Sequence, residues 1–262
     1  MKIGAHLSIV GGIDKAIRKT AEKNLSALQL FTGSPRAWIL PPISEQTINK
    51  FRKLANSKNI KDIFIHSKYL VNVASSDPKI TKKSVASIVF DLQIAAKIKA
   101  KGVIFHSKLT NFNLLIENLI LILHKSPLDT LLILENSAQM DLIELGKVFK
   151  TIKNPRLKFC LDTAHAFEAG YDLKKITEII DKNIGLDNLV VIHLNNSKTK
   201  FNSKHDVHAD IIKGEIDQQT FAEIINHQKL KNLPFILEIP SLKEKEWQEI
   251  QKNINFLKKL LF

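Results

Sequence analysis

A chain of 262 residues with 44% hydrophobic content can bury one large α/β barrel or two small domains, and its net charge of +13 favours a polyanionic partner such as nucleic acid. Only four of its 39 cationic side chains are arginine (Arg18, Arg36, Arg52 and Arg156), so much of the excess reads as lysine on solvated helix faces such as Lys147–Lys153 and Lys252–Lys259. The single cysteine, Cys160, excludes an internal disulfide and fits a reducing compartment, and no apolar run reaches the roughly 18 residues of a spanning helix, so a membrane protein is not expected.

Met1 to His6 carries no signal-peptide apolar region, which leads us to expect a cytoplasmic protein, and Lys2 to His6 reads directly as a first strand. Ile13 to Asn24 places Ile13, Ala16, Ile17 and Ala21 at helical spacing. Ala27 to Phe31 is the second apolar run, and Ser44-Glu45-Gln46-Thr47 resembles a capping start for a helix over Ile48 to Ala55. The third run, Ile63-Phe64-Ile65, enters His66. A helix over Lys82 to Lys99, with Val85, Ile88, Val89, Leu92, Ala95, Ala96 and Ile98, precedes Val103-Ile104-Phe105 and His106. Leu114 to Leu123 is interrupted by Glu117 and Asn118 and reads as a core helix. Leu131 to Leu134 then enters Glu135, and a helix over Asp141 to Lys150 leads to Phe159-Cys160-Leu161 and Asp162. A helix over Leu173 to Ile184 precedes Val190-Val191-Ile192 and His193, and one over Gln218 to His227 precedes Phe235-Ile236-Leu237 and Glu238. A helix over Glu244 to Leu260 closes the series. Strict alternation of eight strands with helices predicts a (β/α)8 TIM barrel, parallel and eight-stranded, formed as a single domain over 1–262. Gly11-Gly12 lacks the G-x-G-x-x-G pattern, so a dinucleotide site is not expected.

Six of the eight runs end in a residue that can ligate a metal. A strand apolar throughout is buried on both faces, as in a parallel sheet. Burying an unpartnered polar group there costs about 2–7 kcal/mol, so the ionisable residue belongs at the strand's exit. In a parallel barrel the exits share one mouth, where the active site sits. His66, His106, Glu135, Asp162, His193 and Glu238 are thereby predicted to converge. Three further candidates join them. Asp162 and His165, three apart, face one site on a turn or first helical turn. Asp206 and His208, two apart, share a face in an extended segment, and His193 lies far enough before them for a loop to swing the pair over the mouth. Mixed imidazole and carboxylate donors suit zinc, with manganese or iron as substitutes, and nine ligands fit two or three ions with a bridging carboxylate. A lone strand-end histidine is usually structural; the joint pattern is what points to metal. Of the other histidines, His124 and His227 read as surface residues, His205 as a bystander, and His6 as a group behind the ligands or against substrate. Cys160, inside an apolar run, reads as a buried inert thiol.

Several segments resemble endonuclease IV, the apurinic/apyrimidinic endonuclease family of base-excision repair. Cys160-Leu-Asp-Thr-Ala-His-Ala-Phe-Glu-Ala-Gly-Tyr-Asp172 is nearly the family's own signature. Gly4-Ala-His-Leu-Ser8 with Gly11-Gly12, Phe31-Thr-Gly-Ser-Pro-Arg-Ala-Trp38, Ile192-His-Leu-Asn-Asn-Ser-Lys198 and Leu237-Glu238 are similar to its other motifs, in order along the whole chain. The resemblance implies a trinuclear zinc site. His66, His106 and Glu135 would hold one ion; Glu135, Asp162, His193 and Glu238 the second, with Glu135 bridging; His165, Asp206 and His208 the third. It further implies hydrolysis of the phosphodiester 5′ to an abasic site in double-stranded DNA, leaving a 3′-hydroxyl; a monomer is the default expectation. Arg36, Tyr69 and Leu70 would contact DNA at the lesion; without the resemblance they read as a surface charge and a lid over the core. The chain departs from the family pattern at Ser107-Lys108, at Ala138-Gln139-Met140-Asp141, at Asn196 where the family has aspartate, and at Ile212-Lys213-Gly214. The connections from His106 to Glu135 and from Glu135 to Asp162 also look shortened. No ligand is lost, so the departures bear on substrate positioning and rate. Two other readings compete: a metal-dependent sugar isomerase or epimerase of the related barrels, and a DNA-binding relative whose altered loops have weakened catalysis.

Overall fold

A computed structural model describes residues 1–137, 139–240 and 247–262. Strands and helices alternate along it: β1 (Lys2–Leu7), α1 (Ile13–Glu22), β2 (Ala27–Leu30), α2 (Glu45–Ser57), β3 (Asp62–His66), α3 (Pro78–Ile98), β4 (Gly102–Phe105) and α4 (Phe112–Lys125). Then follow β5 (Leu131–Glu135), α5 (Leu142–Thr151), β6 (Leu157–Asp162), α6 (Thr163–Glu168), α7 (Ile176–Asn183) and β7 (Leu189–His193). A small hairpin of β8 (Asn196–Ser197) and β9 (His208–Ala209) precedes α8 (Gln218–Asn226), β10 (Pro234–Leu237) and α9 (Trp247–Lys259). The first seven strands and β10 close a parallel eight-stranded barrel, β10 pairing with both β7 and β1, as the alternation predicts.

Local chemistry sets the helix ends. Asp77 caps α3 by accepting from Lys79 N at 2.8 Å, with Pro78 in the first turn, so this helix starts four residues before the expected Lys82. Ser44 Oγ accepts from Thr47 N at 3.2 Å and starts α2 where the capping pattern placed it. Leu173–Lys175 is a 3-10 turn feeding α7, so the helix expected from Leu173 begins three residues later. The expected start of the last helix at Glu244 lies outside the described residues, as does Ala138 among the departures. Neither α6 nor the β8–β9 hairpin is foreseen as an element by hydrophobic periodicity.

The apolar residues form two cores. One fills the space between strands and helices. The other, made by Ala27, Phe64, Ile104, Ile133, Cys160, Val191 and Ile236, fills the barrel interior. Cys160 is buried there and burial pushes its thiol up to about 12, so it is a packing residue.

Candidate metal centre

Strand alternation explains how the centre is assembled. Side chains two apart on a strand face the same way. Two residues beyond the interior layer are Gln29, His66, His106, Glu135, Asp162, His193 and Glu238, which form a polar layer above the apolar one. The stagger of the barrel seats the two layers against each other. Gln29 lies beside Phe64, His66 beside Ile104, Glu135 beside Cys160 and His193 beside Ile236.

Three groups of side chains bring their ligand atoms within 4.8 Å of one another: His66, His106 and Glu135; Glu135, Asp162, His193 and Glu238; and Asp162, His165 and His208. Glu135 and Asp162 each belong to two groups. Asp206, its side chain 55% exposed, stands at the open side of the third, with Oδ2 3.3 Å from His165 Nε2 and Oδ1 3.6 Å from His208 Nε2.

Each of four rings has one nitrogen anchored on a protein oxygen and the other aimed into the centre. His66 Nδ1 donates to Ser67 O (2.8 Å), His165 Nδ1 to Asn136 O (2.9 Å), His193 Nε2 to Gln29 Oε1 (2.7 Å) and His208 Nδ1 to Glu238 O (3.4 Å). With a proton on the anchored nitrogen, the inward nitrogen is the one that can offer a lone pair to a cation. The inward separations run from 3.1 Å (His193 Nδ1 to Glu135 Oε1) through 3.2 Å (His66 Nε2 to Glu135 Oε2) to 3.9 Å (His193 Nδ1 to Asp162 Oδ2). Tetrahedral ligands about 2.0–2.2 Å from an ion stand roughly 3.3–3.6 Å apart, so the donor set and its spacing fit a zinc-type cation.

The electrostatics agree. Burial would raise Glu135, yet His193, His165 and His66 hold its carboxyl well below the usual range. Burial would likewise raise Glu238, and His193, His6 and His66 hold it down. Burial would lower His165, but Asp162, Asp206 and Glu135 hold it well above its ordinary value. Burial also opposes charge on His193, which the carboxylates of Glu238 and Glu135 hold well above its ordinary value. Against a burial effect of the opposite sign, His165 and His208 push Asp206 down to about 2. His106 has burial as its largest influence and is lowered. The pocket is a buried concentration of carboxylate that calls for positive charge.

Gln29 is the functional residue that sequence reasoning missed. It is fully buried, takes the His193 proton on Oε1, and donates from Nε2 to Glu238 Oε1 at 2.6 Å. His6 lies against Glu238, with Nδ1 2.8 Å from Oε1, where it can orient that carboxylate. Asp162 does three jobs: Oδ1 caps α6 by accepting from His165 N (2.9 Å), Oδ2 accepts from Asn195 Nδ2 (2.6 Å), and the same Oδ2 lies 3.6 Å from His208 Nε2. That cap is why a three-residue spacing delivers both Asp162 and His165.

Asn196 uses its amide fully. Nδ2 donates to Ile211 O (2.8 Å) and Ile216 O (3.1 Å), while Oδ1 accepts from Ser197 N and Ile216 N, both at 2.8 Å. A carboxylate would lose both donations, so this departure suits a brace for the segment after β9. A Cβ on Gly214 would lie 2.3 Å from Asn196 Cγ, which is why the last residue of Ile212-Lys213-Gly214 must be glycine.

Arg36, Tyr69 and Leu70 lie on the loops after β2 and β3 and are exposed, Tyr69 by 51% and Leu70 by 37%. Tyr69 N donates to Pro35 O at 3.1 Å, which ties the two loops, and its ring meets Phe31 edge-on at 5.4 Å. His124 and His205 are exposed, while His227 is half-buried at the end of α8 with Nδ1 accepting from Lys229 N. Among the described residues no helix is long and apolar enough to cross a membrane.

Residues 17–260 match the family described as the xylose isomerase-like TIM barrel. A protein of Halothermothrix orenii named as a probable endonuclease 4 is 35% identical over 260 residues, covering 92% of this chain and 94% of that one. One of Nitrosopumilus maritimus with the same name is 34% identical, covering 92% and 94%. Among solved structures, endonuclease IV from Thermus thermophilus superposes with a TM-score of 0.89 at 29% identity, covering 99% of this chain and all of that one. A D-tagatose 3-epimerase-like protein superposes with a TM-score of 0.72 at 19% identity and 99% coverage of both, which is a likeness of fold alone. With nine candidate ligands on one mouth and relatives of this identity along nearly its whole length, the chain belongs to the endonuclease IV family of xylose isomerase-like TIM barrels.

Proposed function

We propose that this chain is a zinc-dependent apurinic/apyrimidinic endonuclease that holds three zinc ions and cleaves double-stranded DNA on the 5′ side of an abasic site, leaving a 3′-hydroxyl. The observation that carries this reading is the set of four rings, each with one nitrogen pinned on a protein oxygen and the other converging with buried carboxylates. By this reading His66, His106 and Glu135 hold one ion, Glu135, Asp162, His193 and Glu238 a second, and His165, Asp206 and His208 a third, with Asp162 close enough to assist.

Bound zinc supplies neutralisation of the phosphate, a lower pKa for a bound water, and stabilisation of the leaving oxygen. The chain's own groups do the rest. Glu135, nearly fully buried, keeps its charge at the junction of two ligand groups and fixes their spacing. Gln29, Ser67, Asn136 and Asn195 lock the ligand orientations. Arg36, Tyr69 and Leu70, exposed on the loops after β2 and β3, fill the gap where a base is missing. Abasic DNA suits such a wedge, because one base is already out of the stack and kinking is correspondingly cheap. One chain, acting as a single domain over 1–262, supplies every proposed residue, which supports a monomer; DNA as substrate fits a cytoplasmic protein.

A nicking assay on a duplex with one synthetic abasic analogue, with and without chelator, tests the reading. Cleavage 5′ to the analogue that chelator abolishes is the expected result. Binding without cleavage would mark a catalytically weakened relative. One ion per chain with turnover of ketoses and none of DNA would mark a sugar isomerase or epimerase.

A further inference from the structure

The β8–β9 hairpin carries Asp206 and His208, yet its own ladder is only two residue pairs, Asn196 with Ala209 and Ser197 with His208. An isolated ladder that short is marginal in water. Lys198 N adds one bond, to Val207 O at 2.8 Å, and contacts beyond the ladder must fix where the arm sits. Glu168, the last residue of α6, is fully buried, and its Oε1 accepts from three groups of this one segment: Ser197 Oγ at 2.6 Å, Val207 N at 3.2 Å and Thr199 Oγ1 at 3.3 Å. Val207 is the residue between Asp206 and His208. The same helix end takes two more bonds from the loop, Asn202 N to Phe167 O (3.1 Å) and Lys204 N to Glu168 O (3.0 Å). His165 sits one helical turn earlier on α6. One short helix therefore presents one ligand of the third group and clips the strand that presents the other two.

We infer that Glu168 is the positioning residue for the third metal group, holding Asp206 and His208 against His165 through the Val207 amide. The inference rests on the three-ion reading above and assigns the hold on the Asp206–His208 arm to one carboxylate oxygen, while Asn196 braces the segment after β9. A buried carboxylate is expensive, and three hydrogen bonds to a single oxygen offset that expense only while the hairpin stays docked. Glu168 Oε2 has no hydrogen-bond partner among the described residues, so one acceptor oxygen does the holding. Negative charge is then not what the hairpin needs, and a glutamine that keeps the oxygen should serve.

Equilibrium dialysis of the full chain against buffered zinc, followed by elemental analysis, decides this. The wild type should hold three ions. Glu168→Ala should hold two at wild-type affinity and bind the third about 10-fold or more weakly, the scale on which supporting residues tune metal affinity. Glu168→Gln should restore the third ion to within a few-fold. Three ions at unchanged affinity in Glu168→Ala overturn the inference, as does uniform weakening of all three or a glutamine variant as impaired as alanine. If Glu168→Ala does not fold, Ser197→Ala removes the shortest of the three bonds and must weaken the third ion alone by a smaller factor; an unchanged third ion there is equally decisive against it. A wild type that holds fewer than three ions would instead refute the three-ion reading itself.

Discussion

His165 and His208 face each other with their Nε2 atoms 3.3 Å apart. Their other ring nitrogens donate hydrogen bonds to the carbonyls of Asn136 and Glu238, which can only accept. The two inward nitrogens therefore meet beside the Asp206 carboxylate, where a shared cation would take a lone pair from each ring.

Stripping the metal should therefore loosen the fold as well as stop the chemistry. An ion present at 100 times its dissociation constant contributes about 2.7 kcal/mol per site, which for a chain of this size is roughly 5–10 °C in Tm. Thermal melts before chelation, after chelation, and after zinc is restored should fall and recover by at least that amount. A Tm unmoved by verified stripping would contradict metal at this mouth.

Glu135 has Oε2 3.2 Å from His66 Nε2, and Oε1 3.1 Å from His193 Nδ1 and 3.3 Å from His165 Nδ1. Glu135→Gln keeps the volume and removes the charge shared by two ligand groups. Cleavage should drop by more than about 100-fold, corresponding to about 3 kcal/mol of lost transition-state stabilisation. DNA affinity should stay within a few-fold, because the exposed loop residues are untouched. Equal loss of binding and turnover would argue against a bridging role.

The barrel and most of the centre were legible because an ionisable residue at the end of an apolar run has few places to go. The same alternation contained Gln29, two positions beyond Ala27, but its uncharged side chain carried no alarm, whereas the His6 imidazole at the end of the first strand did. The hairpin was not legible as structure. Its two-pair ladder has no periodicity, and it is held by Glu168 and Asn196, whose partners are distant in sequence. Asp91 was equally silent: a single charge within the apolar stripe of α3, it is fully buried against Thr32.

That burial makes Asp91 a source of pH dependence. Thr32 Oγ1 donates to Oδ1 at 2.5 Å and Oδ2 has no hydrogen-bond partner among the described residues. Burial pushes the carboxyl up to about 7 from its ordinary 3.8, against the opposing pull of Thr32 and Lys68. Between those two values the folded chain keeps a proton that the unfolded chain has released. Stability therefore falls as pH rises through that window, and the penalty is complete above about pH 7. Asp91→Asn keeps an acceptor for Thr32 and cannot ionise. Its Tm relative to the wild type should rise between about pH 5 and pH 8; a difference that stays constant over that range would show that Asp91 does not titrate this way.

Engagement of DNA separates into two measurable parts. A net charge of +13 should make affinity fall steeply with salt, log K against log[salt] sloping by about −0.9 per neutralised phosphate. That slope reports backbone contacts and carries no information about the lesion. Lesion preference should instead reside in Arg36, Tyr69 and Leu70, which are exposed on two loops that the Tyr69 N to Pro35 O bond ties together. Phe31 against the Tyr69 ring supports it from below without covering it. Arg36→Ala and Tyr69→Ala should each reduce the ratio of abasic to intact binding, while the salt slope changes by at most about 1 for Arg36 and less for Tyr69. Binding titrations at several salt concentrations, on matched abasic and intact duplexes, read both quantities at once. Wild-type discrimination in both variants would leave the three residues as an ordinary rim of the barrel, and the lesion would have to be sensed at the metal centre alone.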